Sequence, residues 1–237
     1  MQLFLVLLSA LAPVAVLVWY IYRKDKKHPE PAKWLLKAFV FGLLSIFLSF
    51  AFSLPASVLL NMEVNPSTYT SIVEAFADAF FLAAIPEELA KFVMLWLLLR
   101  KNPHFDERFD GIIYAVCVGM GFAGLENIMY LINGMESGSW VGTGIVRALF
   151  SVPAHFLVAV LMGYYFSIYY FNVDRSVKTK VMILAAPILA HGIYDGILMS
   201  MRIDENLAGF GMVLFLWFFN QLRKKGKERI DNLIGDK

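Results

Sequence analysis

Seven stretches of this 237-residue chain are apolar over about the 20 residues a helix needs to cross roughly 30 Å of hydrocarbon. They fall at 3–22, 34–60, 72–99, 111–132, 145–171, 181–200 and, shortest, 207–222. Charged residues are only 17% of the chain, against about 25% in soluble domains. That balance excludes a disordered chain, an ordinary soluble enzyme and a nucleic-acid-binding module. A net charge of +2 is too small to imply an acidic partner. The single cysteine, Cys117, excludes an intrachain disulfide and a multi-cysteine metal site. Connections are short, with no repeat, low-complexity tract or linker. The expectation is an all-α polytopic membrane protein of about seven transmembrane helices, one bundle and one domain over 1–237.

Lys and Arg placement orients that bundle. The turn after the first stretch carries Arg23, Lys24, Lys26, Lys27, Lys33 and Lys37, and the turn after the third carries Arg100, Lys101 and Arg108. Arg175, Lys178 and Lys180 follow the fifth; Arg223, Lys224, Lys225, Lys227, Arg229 and Lys237 follow the last. All 21 basic residues except Lys91, Arg147 and Arg202 therefore fall on one side. Positive-inside bias makes that side cytoplasmic, with the N-terminus outside, the C-terminus in the cytoplasm and seven crossings of the cell membrane. The first stretch is followed by basic residues and not preceded by them, so it reads as a retained helix and not a removable signal peptide.

The informative residues are the polar ones inside the apolar stretches. An ionisable group at mid-bilayer costs about 2.5–3.5 kcal/mol on insertion scales. The third stretch contains Pro86-Glu87-Glu88 and Lys91, the fourth Glu126-Asn127, the fifth His155, and the sixth His191 and Asp195. Each has a plain structural reading: a Glu–Lys pair neutralising itself, a histidine bonding between helices, an aspartate orienting the histidine one turn away. Together they ask for more. Adjacent glutamates point about 100° apart on a helix, so one lysine does not comfortably satisfy both. Counted from the helix ends, all lie in one layer between the midplane and the outer leaflet. Pro86, Pro153 and Pro187 precede Glu87, His155 and His191 closely, and each frees a carbonyl that protein or water must satisfy at that depth. Gly119, Gly121 and Gly124 lead to Glu126, while Gly192 and Gly196 form a GxxxG beside His191 and Asp195, where small residues let helices approach. A single wet cavity lined by acids and imidazoles is expected.

Carboxylates and histidines without an obvious nucleophile suggest activation of water. A buried glutamate tuned by a lysine serves as general base, and a histidine stabilises an oxyanion or protonates a leaving amine. Alternatively the set holds zinc, with His155, His191 and Glu126 as candidate ligands, and the bound water attacks. A third reading is an ion- or proton-coupled transporter, which also places acids on broken helices. No HExxH or GxSxG is present.

At this point the motifs carry a resemblance. Glu87-Glu88-Leu89-Ala90-Lys91, Phe122 through Glu126-Asn127, Arg147-Ala148-Leu149 ahead of His155, and His191 through Asp195 occur in order. They are flanked by Lys27-His28-Pro29-Glu30-Pro31 and by His104-Phe105-Asp106-Glu107 with Asp110-Gly111. In these the chain is similar to the PrsW family of intramembrane proteases, related to the CAAX prenyl endoprotease and Abi superfamily. One departure is Phe150, five residues before His155 where the superfamily often has FxxxH. The resemblance implies a membrane protease making the first, extracytoplasmic-side cut in a single-pass anti-sigma factor during a stress response. It makes Glu87, Glu88 and His191 the first catalytic candidates, Glu126 and His155 the next, with Asn127, Asp195 and Lys91 supporting. It implies either zinc or no metal.

The orientation is testable directly: a topology reporter at residues 102–106 should read cytoplasmic and one at 136–140 external, and opposite readings would overturn it.

Overall fold

The computed structural model describes residues 1–25, 28–63, 66 and 68–235, and is helical with no strand among them. Lys26, Lys27 and Lys237 of the predicted basic clusters lie outside the described residues. The first two apolar stretches form α1 (Gln2–Lys24) and α2 (Ala32–Leu60). The stretch expected as one span at 72–99 is a composite path. It runs as α3 (Ile72–Asp78), a π-helical turn π1 (Ala79–Ala84) and α4 (Ile85–Leu99). Next comes α5 (Arg108–Glu136). The 145–171 stretch starts earlier than expected, as α6 (Trp140–Val146), a second π turn π2 (Arg147–Ser151) and α7 (Val152–Tyr170). Then follow α8 (Val177–Ser200) and α9 (Glu205–Gly235).

Five of these paths are long and apolar enough to cross a membrane: α1, α2, α5, the continuous 140–170 path and α8. The chain is thus a multi-pass membrane protein. Two expected spans lack that character for separate reasons. The 72–99 path runs on through π1 as the 140–170 path runs through π2, but it carries Glu74, Asp78, Glu87, Glu88 and Lys91, so no membrane-length stretch of it is apolar enough. In α9 the apolar run ends at Phe219, and the remaining half is polar and charged, yet the helix runs on to Gly235, 31 residues in all. It continues because Leu222, Ile230 and Leu233 keep an apolar edge packed in the core.

The interior is organised around α5, whose most apolar window is 78% buried against 22% for α1 and 28% for α2. The outer helices keep apolar side chains such as Phe4, Trp19 and Phe47 exposed, as a lipid-facing surface requires. One close crossing is between α2 and α5. A Cβ on Gly42 would lie 2.0 Å from the Val118 carbonyl oxygen, and one on Gly121 would lie 2.1 Å from that of Phe39. Without a hydrophobic drive between helices in lipid, such backbone contact is what holds them together.

The expected basic turns gather at one end. Trp34, beside the α1–α2 turn, meets His104 of the α4–α5 turn with ring centroids 6.4 Å apart, and Phe105 meets Phe171 of the α7–α8 turn at 5.0 Å. The two flanking sequence motifs also meet there. Glu30 accepts a hydrogen bond from the Tyr114 hydroxyl, and burial pushes its carboxyl above the ordinary glutamate range. Asp110 accepts from the Asp106 and Glu107 backbone amides at 3.1 and 2.7 Å, capping α5.

Gly121→Ala should therefore destabilise the fold by about 1–3 kcal/mol, since backbone cannot yield as a side chain does. Gly142→Ala, with nothing within 4 Å of the added carbon, should be neutral. Thermal unfolding of both variants in the same detergent measures the difference, and equal melting temperatures would refute the crossing.

Candidate active site

Two π turns aim the site. In each, the last amide before a proline reaches back five residues: Ile85 N–H to the Phe80 carbonyl before Pro86, and Val152 N–H to the Arg147 carbonyl before Pro153. A proline ring crowds the carbonyl four residues back and donates nothing, and a widened turn relieves that crowding. The expected kinks are therefore π turns at these two prolines, immediately preceding Glu87-Glu88 and His155. On the facing helix, Gly192 and Gly196 of α8 leave room for the rings of Phe80 and Phe76, which seats His191 against α4.

Lys91 lies at the centre. Its ammonium, 3% exposed as a residue, is 2.8 Å from Glu88 Oε1, 3.1 Å from Glu87 Oε2 and 3.3 Å from His155 Nδ1. Three N–H donors thus meet three acceptors, with the Phe122 ring 4.0 Å below. An ammonium can only donate, so His155 Nδ1 accepts and its Nε2 carries the hydrogen toward Glu126 Oε2 at 2.9 Å. His155 thereby links two charged groups. The second is Glu126, bonded by Arg147 Nη2 at 2.6 Å, while Arg147 Nε donates to Asn127 Oδ1 at 2.5 Å. Asn127 in turn donates to the Ala10 carbonyl at 3.1 Å, tying α5 to α1. His191 meets a carboxylate at each nitrogen: Nδ1 to Glu88 Oε1 at 2.8 Å and Nε2 to Asp195 Oδ2 at 3.0 Å.

All eight residues singled out in the sequence therefore belong to one connected network. The two glutamates are not equivalent within it. A cavity of about 390 Å³ is lined by Glu87, Glu126, His155, His191 and Asp195, together with Arg147 and Tyr194. Glu88, fully buried, sits behind that wall with Lys91. Glu87 faces the cavity, and its Oε2 is 3.9 Å from His191 Nε2. Sequence reasoning did not place Arg147, Phe122 or Tyr130 in the site, although Arg147 lay within an apolar stretch and its guanidinium stacks 4.2 Å over Tyr130.

A metal ion fits this donor set by type. Glu87, Glu88, His155 and His191 each offer an atom within 4.8 Å of the others, and Glu88 Oε2 is buried with no hydrogen-bond partner. The four carboxylates Glu87, Glu88, Glu126 and Asp195 also outnumber the fixed cations Lys91 and Arg147, an excess that a divalent ion or added protons would balance. Lys91 already contacts three of the four donors, so an ion there competes with the ammonium.

Comparison with known proteins gives the chain its relatives. The chain matches, over residues 30–222, the family model described as PrsW family intramembrane metalloprotease. It is 34% identical to Protease PrsW of Bacillus subtilis (strain 168), over 98% of this chain and 99% of that one. It is 33% identical to Protease PrsW of Clostridioides difficile (strain 630), over 93% and 98%, and 32% identical to that of Geobacillus kaustophilus (strain HTA426), over 88% and 86%. No solved structure matches. These names speak for proteolysis and not for transport.

Removing Lys91 should expose how much the buried acids depend on it. Lys91→Met leaves Glu87 and Glu88 without their shared cation and should cost about 3–5 kcal/mol, read as a lower melting temperature. Lys91→Met/Glu88→Gln should recover part of that loss, and a double variant no more stable than the single would show that the ammonium is not what the acids need.

Proposed function

This chain belongs to the PrsW protease family, and from that premise we propose that it cuts a single-pass membrane protein through water activated by Glu87. The observation carrying the reading is the division of labour between the adjacent glutamates: Glu87 lines the cavity, while Glu88 is sealed behind it on Lys91 and His191. A water resting between Glu87 Oε2 and His191 Nε2, atoms 3.9 Å apart, is within reach of both. Glu87 takes its proton as the oxygen attacks the peptide carbonyl carbon, and His191 holds the water in line. The proton then passes to the leaving nitrogen as the C–N bond breaks. Glu88 and Asp195, one at each ring nitrogen, fix the His191 plane.

The other residues position these. Lys91 keeps both glutamates in place and hands His155 its tautomer; Glu126, Arg147 and Asn127 hold the opposite wall. Were zinc bound, Glu87 and His191 would be its cavity-facing holders, and the ion would supply Lewis-acid polarisation and a bound water of lowered pKa.

The cavity extends to Gly142 and Arg202, at the end opposite the basic turns. In the orientation that the Lys and Arg distribution implies, that end is extracytoplasmic. The position suits a first cut on the outer side of an anti-sigma-factor-like substrate, and the order of the Glu87-Glu88, Glu126-Asn127 and His191 motifs suits kinship with the CAAX and Abi superfamily.

The test uses the full chain in proteoliposomes with a single-pass substrate. Glu87→Gln should lower the cleavage rate by about 10²–10⁴-fold while leaving a folded, inserted protein. Normal cleavage by Glu87→Gln would end the proposal. Bound zinc and the effect of a chelator on the wild-type rate decide which form of water activation operates.

A further inference from the structure

A second groove, of about 630 Å³, runs between α1, α7 and α9, on a different face from the acidic cavity. Its walls are apolar, chiefly Phe156 and Leu157 of α7 and Phe219 of α9. One end is different in kind: Arg223, Lys224 and Lys227 border it. These cations are exposed, and among the described residues none of the three is ion-paired.

Their position is built in by packing. Leu222 and Ile230 of α9 are buried at 4% and 2% exposure. Between them, Gly226 approaches α7 so closely that a Cβ there would lie 2.5 Å from Leu157 Cδ2. With this edge locked to α7, helical geometry turns the intervening cations outward beside the groove. Arg229 adds a second lock, its Nη1 donating to the Tyr164 hydroxyl at 3.1 Å. The groove therefore holds its cations in fixed register with its apolar walls.

We propose that this groove is a binding site for an anionic diacyl phospholipid, with an acyl chain along Phe156, Leu157 and Phe219 and the phosphate among Arg223, Lys224 and Lys227. A free anion would have no use for the apolar length, and a neutral occupant would leave three cations beside hydrocarbon without a counter-charge. An anionic lipid carries both features in one molecule and at leaflet depth, where each nearby Lys or Arg adds to its retention. The proposal concerns the resident lipid and is independent of the reaction at Glu87.

The experiment is native mass spectrometry of the full chain in detergent, titrated with phosphatidylglycerol, phosphatidylcholine or glycerol 3-phosphate, with melting temperature followed in parallel. Wild type should retain phosphatidylglycerol and melt higher with it, and should retain neither of the other two. Arg223→Gln/Lys224→Gln/Lys227→Gln should weaken retention by roughly a hundredfold. Lys33→Gln/Lys101→Gln/Lys178→Gln, which removes as much charge from other exposed sites, should leave it unchanged. Leu17→Trp, which fills the groove from α1, should reduce retention without removing charge. Equal retention of phosphatidylcholine, binding of glycerol 3-phosphate as strong as that of the lipid, or equal losses in the two triple variants would each overturn the proposal.

Discussion

The ammonium of Lys91 is the contact on which the buried half of this molecule depends. Two adjacent carboxylates on one helix would repel each other in hydrocarbon, and neither could be desolvated alone. Placed one turn further along α4, the lysine reaches both, and its third hydrogen goes to His155 on α7. One cation thus joins two helices through a group that is already needed for local charge balance. His155 passes the connection to Glu126 on α5, and His191 extends it from Glu88 to α8. Four helices are fastened at the depth of the site by contacts whose polar partners could not be left unmet there.

What surrounds this network follows from the same scarcity of water. In a lipid interior the helices gain little from burying apolar surface against each other, so close backbone contact at Gly42 and Gly121 carries the α2–α5 crossing. Arg147 acts similarly at the other wall. It satisfies Glu126 and Asn127 together, and Asn127 then has an amide hydrogen free for the backbone of α1.

Much of this was legible in the sequence because hydrocarbon makes polar residues conspicuous. Apolar length identified the helices, and polar groups placed inside apolar stretches identified eight of the residues that the network joins, Arg147 being the one left out. The rest depends on where side chains point. Glu87 and Glu88 are chemically alike and adjacent; only the rotation of α4 after π1 decides that one faces the cavity and the other is sealed. Arg147 stood out only as an exception to the basic-residue bias and as part of a motif, because its partners, Glu126 and Asn127, are 20 or so residues earlier on another helix. The division of the 72–99 path was hidden because Ala79–Ala84 has an ordinary apolar helical composition. In α9, sparse apolar positions such as Ile230 and Leu233 maintain a helix that hydropathy ends too soon.

The two π turns also set a rule of phase. A π turn holds more residues than the α turn it replaces, so the helical wheel before it and the wheel after it do not share an origin. The faces of α3 and α4 are consequently offset, and so are those of α6 and α7, although each pair forms one unbroken path. A lipid-facing stripe read before the turn says nothing about which residues face inward after it. Across Ala79–Ala84 and Arg147–Ser151, the number of residues matters as much as their identity, because that count sets the direction in which Glu87 and His155 leave the helix.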